Sequence, residues 1–333
     1  KLIFVFCGIL TLLFIILCIG LYHLTSNSLP KYQQDLSSSQ IKDDIKISRD
    51  AYAIPYIDAK NDLDSFFALG YAHAQDRLWQ MVLLRRIAQG RLSEIIGVDG
   101  LENDKLMRTV AIYSSAQNSE KKQSKETLNL LKSYSNGINF FIKQISENSW
   151  GRGGPEFFLF TPQISPWRPA DSIALLKLIA FQSTNKASIE ILRTQLLLAQ
   201  IKSDRYADIF EEPPLISDST TQSISYLKTQ NFNEMKIPTK DRKRDKDLYF
   251  GSDLDFHGSL AASNLFAVMP FRSATGQVLA ASDPHSTLTS PSNFMLINIK
   301  LSNGTITGGS IPGIPAIIVG RSKYFGWGVA NAE

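Results

Sequence analysis

The sequence predicts an α+β fold in which helices come first and strands second. Apolar residues recur at helical spacing through residues 62–210, and beyond residue 263 they gather into short runs separated by Gly, Pro, Asn and Ser. With 333 residues, 44% hydrophobic and 20% charged, the chain has ample material for a buried core.

The elements follow in order. Leu2–Tyr22 carries no charge and is long enough to cross a hydrocarbon core, which takes about 20 apolar residues in a helix. It predicts a membrane anchor or export signal over residues 1–24. His23-Leu24-Thr25-Ser26 offers no small-residue cleavage site, which favours an uncleaved anchor in the inner membrane. Lys1 before the span places the body on the extracytoplasmic, periplasmic side. Residues 25–44, rich in Ser, Gln and Lys, form a polar tether. Ile45–Ser48 and Ala53–Ile57 alternate as two short strands about a turn at Arg49-Asp50.

A helix then starts near Asp62, apolar around most of its circumference through Leu83. Helical periodicity returns at Ser124–Phe141 and Asp171–Ala199, so residues 45–215 form a mainly helical region. The polar tract that follows, charged most densely at 240–247, reads as a spacer over 216–262. Strands are expected at Leu265–Met269, Val278–Ala281, Phe294–Leu301, Thr305–Gly309, Ile314–Val319 and Tyr324–Val329.

Charge and thiols exclude two function classes. The net charge of +4 is spread along the chain and leaves no electrostatic footprint for nucleic acid. Cys7 and Cys18 both lie in the first apolar run, so the remainder has no thiol for a disulfide, a zinc site or nucleophilic attack. The run Ala262-Ser263-Asn264-Leu265-Phe266-Ala267-Val268, followed by Asp283-Pro284-His285, places a serine at the mouth of what reads as a buried strand. Were the peptide bond before Ser263 cut, that residue would supply both an attacking hydroxyl and a free amine to activate it.

Several runs converge on one family. Arg49-Asp50-Ala51-Tyr52-Ala53-Ile54-Pro55-Tyr56-Ile57, Ala68-Leu69-Gly70-Tyr71-Ala72-His73-Ala74-Gln75-Asp76-Arg77-Leu78-Trp79-Gln80-Met81, Arg85-Arg86 and Gly90-Arg91-Leu92-Ser93-Glu94 come first. Gly154-Pro155-Glu156-Phe157, Pro166-Trp167-Arg168-Pro169-Ala170-Asp171-Ser172 and Ser263-Asn264 follow. Ala274-Thr275-Gly276, Asp283-Pro284-His285, Pro312-Gly313-Ile314-Pro315 and Gly326-Trp327-Gly328 complete the series. In this order and density they closely resemble the penicillin acylase family of N-terminal-nucleophile hydrolases.

That resemblance implies a four-layer αββα sandwich and a precursor that cuts itself into two associated chains, the second starting at Ser263. Ser263 would attack the carbonyl of a linear acyl amide, its own amine acting as base near an unperturbed pKa of about 7.7–8.0. His285 would assist beside that amine, and it leans the substrate toward acylated homoserine lactones or cephalosporin-type amides. The backbone N–H of Asn331, or of Ala332 on a one-residue shift, would donate to the oxyanion. A second donor, an asparagine side chain, lies much further along in the family, as do most calcium ligands. On that comparison the sequence reads as a fragment, and a chain that begins without Met reads the same way. Glu190 matches the family's first-chain ligand for a structural calcium, and no cofactor is implied for the chemistry. Asn264 would orient the serine amine or substrate, or satisfy strand-edge amides.

Other motif residues read as scaffold: His73 fills a helix–strand contact, Arg77 and Glu94 form an internal ion pair, and Arg85-Arg86 serve in the same way. Two further readings stay open. One is a catalytically silent, membrane-tethered relative that serves as a binding or interaction protein. The other is a conventional triad of Ser263, His285 and Asp283, for which no Gly-x-Ser-x-Gly elbow is present.

Overall fold

A six-stranded sheet joins the two ends of the described chain. The computed structural model describes residues 2–147, 154–160, 164–182, 262–285 and 289–330. The expected helix beyond residue 182 and the polar tract at 216–258 lie outside these residues. The elements are α1 (Leu2–Ser28), β1 (Lys46–Arg49), β2 (Pro55–Asp58), α2 (Asp62–Gln89), α3 (Ser93–Ile96), α4 (Leu101–Val110), α5 (Ile112–Glu120), α6 (Lys125–Ser146), α7 (Glu156–Phe160) and α8 (Pro169–Gln182). The strands β3 (Ala262–Val268), β4 (Leu279–His285), β5 (Met295–Leu301), β6 (Gly304–Ser310), β7 (Ile317–Arg321) and β8 (Gly326–Trp327) follow. The fold is α+β: β1 and β2 come early, and the other strands follow the helices.

The sheet runs in the order β1-β2-β5-β6-β7-β8, while β3 and β4 form a separate hairpin. Every pairing in the six-stranded sheet is antiparallel except β2 with β5, where Tyr56 faces Asn298 and Ile57 faces Ile299. Strand alternation turns Ile57, Met295, Ile297 and Ile299 inward, all buried, and Tyr56 and Leu296 outward. Helix α2 lies on the buried face, its Ser65 hydroxyl donating to Lys300 O at 2.6 Å.

Helix α2 starts where a helix should. The Asn61 side chain caps it by accepting from Asp64 N at 3.0 Å, and Gly90 closes it in the left-handed conformation at φ 63°. Between these caps most of the helix is buried, from Phe67 and Leu69 to Leu84 and Ile87. Each such side chain stabilises the fold by about 1.5–3 kcal/mol relative to exposure. Helix α6 crosses it closely. A methyl group on Gly137 would lie 1.9 Å from Phe67 O, and one on Gly70 would lie 2.1 Å from Tyr134 O. Only glycine lets the two backbones approach this far.

The motifs that run through the sequence meet one another in space. Arg49 binds Asp76 Oδ2 at 2.7 Å and Gln75 Oε1 at 2.9 Å, with Tyr32 stacked against its guanidinium. Burial pushes the Asp76 carboxyl upward, outweighing the pull of Arg49. Arg85 donates to Ser165 O and Pro166 O and pairs with Asp171. His73 spans helix and strand: Nδ1 meets Tyr134 Oη at 2.7 Å and Nε2 meets Ser310 Oγ at 2.9 Å. Gly313 N donates to Tyr134 Oη, and Ser310 Oγ donates to Met295 O. Both ends of this chain of bonds demand the same tautomer, with Nε2 protonated and Nδ1 accepting.

Three expectations need correction. Arg77 does not pair with Glu94; it donates to Ser292 O, and Glu94 instead takes Arg86 and Arg91, because a kink at Arg77 in α2 redirects that side chain. The apolar run after Ser263 is not buried: Leu265 and Phe266 are 51% and 59% exposed, since a two-stranded hairpin covers little of its own surface. The last strands are displaced, β7 starting at Ile317 and β8 spanning only Gly326-Trp327, because Ile314 and Ala316 close tight turns.

Helix α1 contains an apolar stretch, Ile3–His23, long and apolar enough to cross a membrane. A signal sequence passes the same test.

Candidate active site

The β3–β4 hairpin carries four of the side chains that the sequence singles out, Ser263, Asn264, Asp283 and His285. In its register Ala262 faces His285, Ser263 faces Pro284, Asn264 faces Asp283 and Leu265 faces Ser282. Period-two alternation therefore divides the hairpin into two faces. Ser263, Leu265, Ser282 and Pro284 share one; Ala262, Asn264, Asp283 and His285 share the other.

The second face holds a polar cluster. Asn264 Nδ2 lies 3.1 Å from His285 Nε2, and His285 Nδ1 lies 3.4 Å from Asp283 Oδ2. An amide nitrogen can only donate, so Nε2 accepts and the proton of a neutral ring sits on Nδ1, toward the carboxylate. The cluster is open to solvent: the His285 side chain is 44% exposed. Here Asn264 contacts the imidazole.

The first face is turned toward the end of the six-stranded sheet. A methyl group on Gly328 would lie 2.2 Å from Ser282 Oγ and 3.1 Å from Leu265 Cδ1. The half-buried Ser263 thus belongs to the hairpin face that abuts the residues just after the Gly326-Trp327 strand. Ser282 Oγ is buried at this contact without a hydrogen-bond partner among the described residues. Sequence reasoning missed Ser282; its only signal was its place one residue before Asp283. Asn331, Ala332 and Glu190 lie outside the described residues. Among the described residues, no three His, Cys, Asp or Glu side chains are grouped to hold a metal ion.

The sequence profile of the penicillin amidase family matches residues 44–333. The chain belongs to this family. It is 29% identical over 293 residues to the acyl-homoserine lactone acylase QuiP of Pseudomonas syringae pv. tomato, covering 87% of this chain and 34% of that protein. It is 27% identical over 299 residues to the penicillin acylase 2 proenzyme of a Pseudomonas species, covering 86% of this chain and 36% of that one. A 146-residue stretch is 34% identical to penicillin G acylase of Escherichia coli, covering 43% of this chain and 16% of that one. The chain spans about a third of the length of the first two relatives. Among solved structures it is similar to thermostable penicillin G acylase from Alcaligenes faecalis, with 25% identity, a TM-score of 0.43, and coverage of 52% of this chain and 92% of that one.

Within the family the hairpin gains a context. The segments before and after residue 262 are interlocked: β2 pairs with β5, Asp58 pairs with Lys300, Asp62 accepts from Ser302, and His73 and Tyr134 bind Ser310 and Gly313.

Proposed function

We propose that this chain carries the first chain, and the start of the nucleophile-bearing second chain, of a self-processing acyl amide hydrolase. Cleavage of the Ala262–Ser263 bond frees the α-amine of Ser263. The amine takes the hydroxyl proton as Oγ attacks the substrate's amide carbonyl, and a tetrahedral oxyanion forms. The same proton passes to the leaving nitrogen, the C–N bond breaks, and an acyl-enzyme remains. Water, deprotonated by the amine, then releases the acid and restores the serine.

One observation carries this reading: Ser263, the second residue of β3, lies on the hairpin face packed against Gly328, three residues before Asn331. The backbone N–H of Asn331 would donate to the oxyanion; a side-chain donor in such a role is worth roughly 3–4 kcal/mol. The second donor is an asparagine further along the protein. His285 stands opposite Ala262, the residue that departs on cleavage, so the new amine is exposed beside the imidazole. The Asn264 and Asp283 contacts hold that ring in one tautomer. The shared sheet offers a reason for the two chains to stay together, because β2 of the first chain is hydrogen-bonded to β5 of the second.

The reading includes a four-layer αββα fold, α1 as an inner-membrane anchor with the body on the periplasmic side, and a calcium held in part by Glu190 that supplies charge rather than chemistry. Acylated homoserine lactones and related acyl amides are the substrate class, on the strength of His285 and of the relatives' names. The test is release of primary amine from N-acyl homoserine lactones and phenylacetyl amides by the full-length protein. Wild type should release it and Ser263→Ala should not; equal release by both would overturn the assignment.

A further inference from the structure

Away from the hairpin, the C-terminal end of α2, the start of α5 and the start of α8 with the residues just before it line a cavity of about 270 Å³. Four guanidinium groups line it, from Arg85, Arg86, Arg91 and Arg168. Among the described residues, two carboxylates pair with them. Asp171 lies 3.5 Å from Arg85 and also accepts from Tyr113 Oη at 2.9 Å and Arg168 N at 2.8 Å. Glu94 is shared between Arg86 and Arg91. The exposed Arg168 side chain has no hydrogen-bond or ion-pair partner among the described residues, although it stands at the rim beside the positive end of the 14-residue helix α8. Tyr113, pushed up to about 12 by burial and by Asp171, remains a hydroxyl donor.

A cavity this size is roomy beside the roughly 30 Å³ share of one water molecule, and among the described residues no carboxylate pairs with the Arg168 guanidinium at its edge. We infer that this pocket binds a phosphate-type oxyanion, with Arg168 and Arg91 as the groups that reach it. Planar guanidinium forks match such an anion through paired hydrogen bonds. Neither Ser263 nor any other residue of the hairpin lines the pocket, so the inference stands apart from the proposed hydrolase activity.

The test is titration calorimetry of the full-length protein in detergent with inorganic phosphate, at ionic strength held constant with chloride. Saturable binding is expected, weakened about tenfold by Arg168→Gln, abolished by Arg168→Glu and partly restored by Arg168→Lys. Arg168 makes no side-chain hydrogen bond or ion pair among the described residues, and circular dichroism of each variant checks that its fold is kept. Arg272→Gln, an exposed arginine outside the pocket, should leave binding unchanged. Absence of saturable binding, or equal binding by Arg168→Glu, would overturn the inference.

Discussion

Protonating His73 should unfold this protein from within. The imidazole is fully buried, and desolvation, aided by Arg77, pulls it down to about 3 from its ordinary value. Its immediate partners are the hydroxyls of Tyr134 and Ser310, neither of which can stabilise a cation as a carboxylate would. A charged ring would also turn Nδ1 into a donor and break the bond from Tyr134, which is already committed to Gly313 N. The unfolded chain takes up the proton near pH 6.5, the folded chain only near 3. Stability from this group is therefore complete above pH 6.5 and is lost as pH falls below it, at about 1.4 kcal/mol per unit. Between pH 7 and pH 5 the loss is about 2 kcal/mol. Denaturant unfolding at both pH values checks this, with His73→Gln as comparison, since glutamine can keep the donor to Ser310 but does not titrate. The variant should be about 1–3 kcal/mol less stable at pH 7, where Tyr134 loses its acceptor. Its further loss on going to pH 5 should be smaller than that of wild type by about 2 kcal/mol. Equal acid losses in the two proteins would refute the buried neutral imidazole.

Two other substitutions test the helical packing. Gly137→Ala places a methyl group against Phe67 O at the α2–α6 crossing, an overpacking cost of about 1–3 kcal/mol partly offset by about 1 kcal/mol of helix propensity; a lower denaturation midpoint is expected, and a stabilised variant would contradict the close crossing. Asp171→Ala leaves Arg85, whose side chain is 5% exposed, without its carboxylate, and should cost about 3–5 kcal/mol by the same measurement. Asp171→Asn, which keeps an acceptor oxygen, should cost less.

Local signals in the sequence were sufficient where the physics is local. Asn61 and Gly90 bracket α2, and its apolar density announces burial on most sides. The six strands after residue 262 were legible from their turns, although β7 and β8 shifted where Ile314 and Ala316 turn without a strong sequence marker. Pairing between distant segments was not legible: nothing in Tyr56-Ile57 specifies Asn298-Ile299 as parallel neighbours, because that choice is made by α2 covering both strands. The break between α4 and α5 falls at Ala111, in the left-handed conformation that sequence reasoning assigns to glycine. Ion pairing was misread for a related reason, since the kink at Arg77 cannot be seen in a regular helical pattern. At the candidate site, Ser263, Asn264 and His285 were named from motif order, but motif order carries no face. Only the register reveals that Asn264 and His285 share a face with Asp283 while Ser263 shares the opposite one with Ser282.

The central claim is that Ser263 becomes an N-terminus. Intact mass measurement with N-terminal sequencing of the purified full-length protein tests it directly. The account predicts two polypeptides that co-purify and separate only on denaturation, the second beginning Ser263-Asn264-Leu265, and a single uncut polypeptide for Ser263→Ala. A wild-type protein that stays whole through prolonged incubation at neutral pH, or that is cut so as to leave Ser263 internal, would contradict it.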